Sequence, residues 1–399
     1  MKRLLLLGGL RYLIPVIKTA HNLGYYVITC DNIPQNIAHQ YSDEYHDISI
    51  LDKDKILRLA ETLQIDGIMS FAVDPGVVTA AYVAEKLGLP FAGSYESIKI
   101  LQNKDLFRAF LAFHGFNTPY SGGYDSLDSV LSEIDKFKFP IIVKPVDSAG
   151  SKGVNKVDNL EQLNHAIAEA LELSFSKRCI VEEFIEQEGF SSDSDCFSID
   201  GQLVFTSFSD QLFDRSASNP FTPAAYVWPN SMSEEARLAL VSDLQRLFDL
   251  LELRSSIYNI ETRIGKDGKA YIMEVSPRGG GNRISEVLHL STGVNLIEEA
   301  VKASVKDSVG IPKSYSYNGI WAELVLYSDK DGFYDSIEIN ESLSEFLVET
   351  DIWVKPGDKV SLFTGANETI GTLIFKFDSK SEFDEYWSGI RTQISLKVY

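Results

Sequence analysis

Cysteine is scarce in this chain: Cys30, Cys179 and Cys196 are the three cysteines among 399 residues. They are widely separated, form no Cys-x-x-Cys pair and are odd in number, which argues against a disulfide framework. Each is expected as a small buried apolar residue in a reduced, cytoplasmic setting. Long apolar runs are missing as well, so no stretch is expected to cross a bilayer. The start, Met1-Lys2-Arg3-Leu4 to Leu7, has the look of a signal peptide. Gly8-Gly9 and Arg11 end it too soon. Positive charge is in deficit: 37 Lys and Arg against 57 Asp and Glu give a net charge of −20. That balance disfavours sequence-independent binding to nucleic acid or to an anionic membrane. It leaves room for a local basic pocket around a nucleotide. Internal repeats and low-complexity tracts are absent. Gly8-Gly9-Leu10-Arg11 lacks the full Gly-x-Gly-x-x-Gly, so a dinucleotide site is not expected.

What is there reads as an ordinary globular chain, 44% hydrophobic and 24% charged, long enough for two or three domains. Strands at Arg3 to Leu7, Tyr25 to Thr29 and Asp66 to Ser70 alternate with helices at about Leu13 to Leu23, Asp54 to Leu63 and Val77 to Leu87. This alternation predicts βαβ units and a parallel sheet over residues 1 to about 92. A helix opens at Asn103-Lys104-Asp105, with Asn103 as N-cap. Lys104 sits in its first turn, where a cation opposes the helix dipole, which suggests another task for it. Ser233 to Leu251 and Val294 to Val305 have helical periodicity. Phe197 to Ile199 and Leu203 to Phe208 read as a hairpin, and Asp210 to Pro229 as a loop bordering a cleft. Beyond about Tyr315 the pattern changes to strands and turns, with a final helix from Ser381, as in a small α+β domain.

Four stretches carry chemistry. Phe139 to Pro145 reads as a buried strand, and Lys144 near its end needs an anionic partner or a route to water. Asp147-Ser148-Ala149-Gly150-Ser151-Lys152-Gly153 is a loop of small residues whose backbone N–H groups suit phosphate oxygens, although it is not a Walker A loop. Glu182 to Glu188 follows a strand and would make a pocket edge, its backbone able to bond an adenine and a carboxylate a ribose. Finally, Ile257 to Arg263 and Tyr271 to Ser276 flank a Lys-Asp-Gly turn, a hairpin signal. Each arm carries one acid, Glu261 or Glu274, and pairing would bring the two together. Adjacent carboxylates repel unless a cation separates them, which points to a hard metal. Two exposed acids on an edge hairpin are the alternative. Pro277-Arg278 and three glycines close the stretch.

The order of these features resembles the ATP-grasp superfamily over nearly the whole chain, in its carbamoyl-phosphate-synthase-like and carboxylate–amine ligase branch. The resemblance implies an α/β and α+β molecule. It comprises a Rossmann-like lobe (1–92), a two-lobed ATP-grasp core clamping ATP (93–312, lid lobe about 115–187) and a small α+β C-terminal domain (313–399). It implies ATP phosphates on Lys104 and Lys144, with Ser148, Gly150, Ser151 and Gly153 in a lid over them. Glu182, Glu183, Phe184 and Ile185 would read adenine, and Glu188 the ribose. Mg²⁺ (or Mn²⁺) would sit on Glu261 and Glu274, and Arg278 would steady the transferred phosphoryl group with Lys144. Ser276 stands where the family often has Asn, as a shorter neutral oxygen ligand. Arg283 is expected to take an acceptor carboxylate, with Asp210 beside the substrate. The implied activity joins a carboxylate to an amine, with an amino acid on at least one side, through an acyl phosphate and with release of ADP. The alternatives are a bicarbonate-using carboxylase or carbamoyl-phosphate-type enzyme, and an ATP-binding regulatory module without turnover. Small-molecule carboxylates and amines are the expected partners, without nucleic acid or membrane, and a homodimer is the assembly considered.

Overall fold

Leu4 to Leu7 are fully buried in the first strand, Arg3–Leu7, as an apolar run without alternation must be if both sheet faces are covered. The strand lies inside a parallel four-stranded sheet, between Tyr26–Cys30 and Gly67–Ser70, with Glu44–His46 at the edge. Helices Leu13–Asn22, Lys53–Leu63 and Asp74–Leu87 connect or cover these strands. The last of them starts at Asp74 rather than near Val77, because Pro75 suits a first helical turn. Asp74 therefore stands just beyond the C-terminal end of strand Gly67–Ser70. That is the end of a parallel strand where open α/β sheets hold ligands. The chain is seen here as a computed structural model describing residues 1–148 and 150–399. Ala149, part of the expected phosphate loop, lies outside the described residues.

The next body is a four-stranded antiparallel sheet, in the order Ser121–Tyr124, Cys179–Glu183, Ile141–Pro145 and Asn155–Val157. Helix Leu160–Leu173 packs on it through Leu163, Ala166, Ile167 and Ala170. Ile141 and Val143 point into that core, so by strand alternation Lys144 points out of it. The facing sheet contains the expected hairpin: Ser256–Ile264 pairs antiparallel with Ala270–Ser276, and Gly268, at φ +75°, makes the turn. Strand Ser192–Ile199 pairs along the other side of Ser256–Ile264, and Gln202–Phe205 completes the sheet.

Two expectations about the later chain change. Residues 210–229 are not one loop: Asp210–Phe213 and Pro223–Trp228 are antiparallel strands. Ala224 to Trp228 are buried, and apolar residues so placed satisfy their backbone by pairing. The sheet they enter runs in the order Asp210–Phe213, Pro223–Trp228, Ile320–Tyr327, Thr369–Phe377 and Leu347–Ile352. It therefore crosses the position near 312 where the sequence pattern changes. Glu323, at the middle of Ile320–Tyr327, is fully buried within it.

Candidate active site

Strand alternation builds the floor of the cleft. Along Ser256–Ile264, Tyr258 and Ile260 enter the core, which turns Asn259, Glu261 and Arg263 to the other face. Register then fixes their neighbours. Glu261 stands opposite Glu274 on one side and opposite Asp193 on the other, and Asn259 stands opposite Ser276 and Asp195. The paired glutamates are therefore adjacent, as the hairpin predicts. Burial and then the Glu274 charge push the Glu261 carboxyl above its ordinary range.

Two lysines face this floor. Lys104 Nζ lies 3.2 Å from Glu274 Oε2 and donates to the Ser148 carbonyl at 3.0 Å, so it spans the hairpin and the start of the glycine-rich loop. That contact is the task which its awkward place in a helix first turn suggested. Asn103 occupies the cap position but turns its side chain back to the Lys99 carbonyl. Lys144 Nζ bonds Glu182 Oε1 at 2.5 Å, and Glu182 Oε2 accepts from Arg108 Nε at 3.0 Å. Despite burial, Lys144 and Arg108 hold Glu182 down at about 2. Lys144 itself is below its ordinary range: burial and the nearby Arg108 and Lys104 outweigh Glu182. Two largely buried ammonium groups therefore lie close enough to repel one another.

Arg278 is held more firmly than a free phosphate ligand. Its Nε and Nη2 bond Asp74 at 2.9 and 2.6 Å, and its Nη1 bonds Asn259 Oδ1 at 2.9 Å and the Gly279 carbonyl at 3.0 Å. Asp74 also accepts from Ser276 Oγ at 2.7 Å, and Gln102 Nε2 donates to the same hydroxyl at 2.9 Å. Ser276 thus links the parallel-sheet lobe to the hairpin. Arg263 braces the segment after Glu183: its Nη1 donates to the Ile185 carbonyl at 3.2 Å and its Nε to Ser191 Oγ at 3.0 Å. In the same segment Phe184 N bonds the Pro140 carbonyl, Glu183 N the Tyr120 carbonyl and Glu188 N the Ile264 carbonyl. These bonds tie the segment to both sheets. In the loop, Ser151 Oγ donates to the Phe221 carbonyl at 2.9 Å, and Asn219 donates to the carbonyls of Ser151 and Thr364. Gly150 and Gly153 both take positive φ.

Contacts and charge proximity thus gather Lys104, Lys144, Glu182, Glu261, Glu274, Ser276 and Arg278 into one cluster. The structure does not bring Arg283 and Asp210 to them as open groups. The Arg283 guanidinium already pairs with Glu286 at 2.8 Å and Glu349 at 2.6 Å. Asp210 accepts from the Ser231 N–H at 2.9 Å. Sequence reasoning missed Arg108, Gln102, Asn259, Asp193 and Asp195, and gave Asp74 no role. For Asp193 and Asp195 a signal existed: Ser192-Asp193-Ser194-Asp195 alternates with the strand period, but without apolar residues it reads as a linker. A cavity of about 720 Å³, lined in part by Asp214, Tyr327, Phe363 and Arg391, lies elsewhere and touches none of these residues.

The donor set suits Mg²⁺. Two carboxylates stand opposite each other, and the charge of Glu274 adds to burial in raising Glu261. Among the described residues no group of three or more His, Cys, Asp or Glu forms a closed metal cage. Mg²⁺ takes one or two carboxylates and completes its shell with phosphate and water, which this pair permits.

Residues 137–286 match a family model described as an ATP-grasp domain. The carbamoyl phosphate synthase large chain of Archaeoglobus fulgidus is 25% identical over 285 residues, covering 70% of this chain and 26% of that one. The chain thus spans about a quarter of the length of such relatives. An L-amino acid ligase from Bacillus licheniformis superposes with a TM-score of 0.83 at 20% identity, covering 100% of this chain and 99% of that one. The biotin carboxylase domain of Hydrogenobacter thermophilus 2-oxoglutarate carboxylase, solved with MgADP and bicarbonate, gives 0.75 at 15% identity, covering 100% of this chain and 91% of that one. Residues 137–286 are thus similar to an ATP-grasp domain, and the whole chain shares the fold of these solved structures. No helix among the described residues is long and apolar enough to cross a membrane.

Proposed function

We propose that the protein is an ATP-dependent ligase that joins a small carboxylate to an amine, with an amino acid on at least one side. One observation carries the reading: paired Glu261 and Glu274 face Lys104 and Lys144 across a single cleft, beside the Asp74-bound Arg278. A carboxylate is a poor acyl donor because its leaving group would be oxide. Phosphorylation by ATP turns it into an acyl phosphate, from which an amine displaces phosphate. Lys104 and Lys144 would bind the triphosphate, and the described loop residues Ser148, Gly150, Ser151 and Gly153 would cover it. Glu182 to Ile185 would border the adenine, with Glu188 toward the ribose. Bound Mg²⁺, held by Glu261 and Glu274 with Ser276 adjacent, would supply charge neutralisation at the phosphates. Arg278, aligned by Asp74 and Asn259, would stabilise charge on the transferring group.

The full-length likeness to an L-amino acid ligase supports an amino acid substrate. The carbamoyl phosphate synthase relatives and the carboxylase neighbour favour bicarbonate as the second reading. An oxygen-transfer experiment separates mechanism from substrate. With a panel of ¹⁸O-carboxylate amino acids and ¹⁸O-bicarbonate, the reading expects one ¹⁸O in the phosphate released from an amino acid. Label entering only from bicarbonate would establish the second reading. Turnover with unlabelled phosphate would defeat both.

A further inference from the structure

Among the described residues, four acids around this cluster lack an ion-pair partner, and two of them are left short of other partners as well. Glu274 has Lys104, Asp74 has Arg278, and Glu182 has Lys144 and Arg108. Glu286 and Glu349 share Arg283. Asp195 has no cation, yet three donors satisfy it: Gly280 N at 2.8 Å, Asn259 Nδ2 at 3.2 Å and Ser285 Oγ. Glu261 faces Glu274 and belongs to the metal pair. That leaves Asp193, whose carboxylate has one donor, Asn259 Nδ2 at 2.7 Å, and Glu323, whose Oε1 accepts from Arg283 N at 3.0 Å. Glu323 Oε2 is buried and has no partner among the described residues. A buried carboxylate oxygen without a donor is costly, and a cationic ligand removes that cost.

The two acids are joined through the segment 280–283: Asn259 bridges Asp193 to Asp195, which accepts from Gly280 N, and Arg283 N donates to Glu323. Tyr226 stands directly opposite Glu323 on the neighbouring strand, and its hydroxyl accepts from Asn282 Nδ2 at 3.2 Å. Burial, then the charges of Asp193, Glu323 and Glu261, push the Tyr226 hydroxyl far above its ordinary range. Asp193 also adjoins Glu261 by strand register, which puts this acid pair next to the expected phosphoryl-transfer centre.

We infer that Asp193 and Glu323, with Tyr226 opposite Glu323, form the subsite for the substrate's ammonium group, and that Glu323 takes its proton. This rests on the ligase reading above and identifies its nucleophile as an amine that arrives charged. The ammonium N–H bond breaks and the proton goes to the Glu323 carboxylate, leaving a neutral amine with a free electron pair. That pair forms the C–N bond to the acyl carbon while the C–O bond to phosphate breaks. The departing phosphate keeps that bond's electrons and takes the second nitrogen proton. Burial raises Glu323 to about 8, against the pull of Arg283, with Glu286 and Asp193 adding to the rise. The titratable groups facing it are Asp193, Tyr226, Arg283, Glu286 and Tyr12.

Glu323→Gln and Asp193→Asn are compared with the unaltered protein in Mg-ATP assays using an amino acid panel as carboxylates. Each reaction is run above pH 8, where Glu323 is a carboxylate able to take a proton, with an amino acid as nucleophile and again with hydroxylamine, which is neutral there and needs no base. Amide formation should fall about 10²-fold or more in Glu323→Gln, with hydroxamate formation falling at least tenfold less. Its thermal stability should not fall with it. The folded chain keeps a proton on Glu323 that the unfolded chain releases between about pH 4.5 and 8. Stability is therefore lost as pH rises through that window, and the Glu323→Gln substitution abolishes the loss. The variant should melt higher than the unaltered protein at pH 8 and above. Equal loss of amide and hydroxamate, or no loss of amide, would overturn the subsite. Failure of the unaltered protein to make hydroxamate from any carboxylate would instead overturn the ligase reading, and the subsite with it.

Discussion

Asp74 shows how much one side chain can set. Its two oxygens take three donors, two from Arg278 and one from Ser276. Although burial opposes it, Arg278 keeps the Asp74 carboxyl below its ordinary range. The bidentate geometry fixes both the position and the plane of the guanidinium, which a single contact would not do. Asp74→Asn preserves the shape of the site but removes the charge, so Arg278 should sample other positions. Turnover should drop about 10²-fold, the cost typical of a catalytic group misplaced by an ångström or so. The KM for ATP should change far less, because Lys104 and Lys144 are untouched. A kcat within twofold of the unaltered protein would show that Asp74 does not position Arg278. A parallel rise in KM would place Asp74 on the nucleotide instead.

At the scale of elements, the hairpin Ser256–Ile264 and Ala270–Ser276 and the segment after it act as one piece against the parallel-sheet lobe. Gly279 is where they touch: a Cβ there would stand 2.2 Å from the Phe71 ring, and the Gly279 carbonyl accepts from Ala72 N at 3.2 Å. Phe71 is buried and has little room to yield. Gly279→Ala should therefore cost about 1–3 kcal/mol of stability, as overpacking does, and should displace the adjoining Arg278. Chemical denaturation checks the first effect and kcat the second; an unchanged midpoint with full kcat would show that the contact is slack. The hairpin was legible in the sequence because β-branched arms around Lys-Asp-Gly leave few other conformations. Lys104 and Lys144 were legible as cations in unsuitable surroundings. The strands Asp210–Phe213 and Pro223–Trp228 were hidden by polar and proline residues around them, and Pro223–Trp228 takes its second partner, Ile320–Tyr327, from about a hundred residues later. Arg108, Asp193 and Glu323 were hidden for a related reason. Each takes its place only through partners distant in sequence, and the polar alternation around Asp193 is the one local mark.

Across the whole molecule, three bodies meet at the cleft. The parallel-sheet lobe contributes Asp74, the small antiparallel sheet contributes Lys144 and Glu182, and the central hairpin contributes Glu261 and Glu274. The far part of the chain is tied in by Arg283 to Glu349 and by the sheet that carries Glu323. Charge arrangement also explains how an acidic protein would hold a polyanion. The net charge of −20 is a property of the whole surface, whereas Lys104 and Lys144 are largely buried within the cleft. The measurement closest to the central claim is product analysis from Mg-ATP with a panel of amino acids, other carboxylates and bicarbonate, run on the unaltered protein and on Glu274→Ala. The account predicts ADP and phosphate formed in step with a ligated product, and loss of that turnover in a normally folded Glu274→Ala. AMP and pyrophosphate as products, or undiminished turnover in the variant, would contradict it.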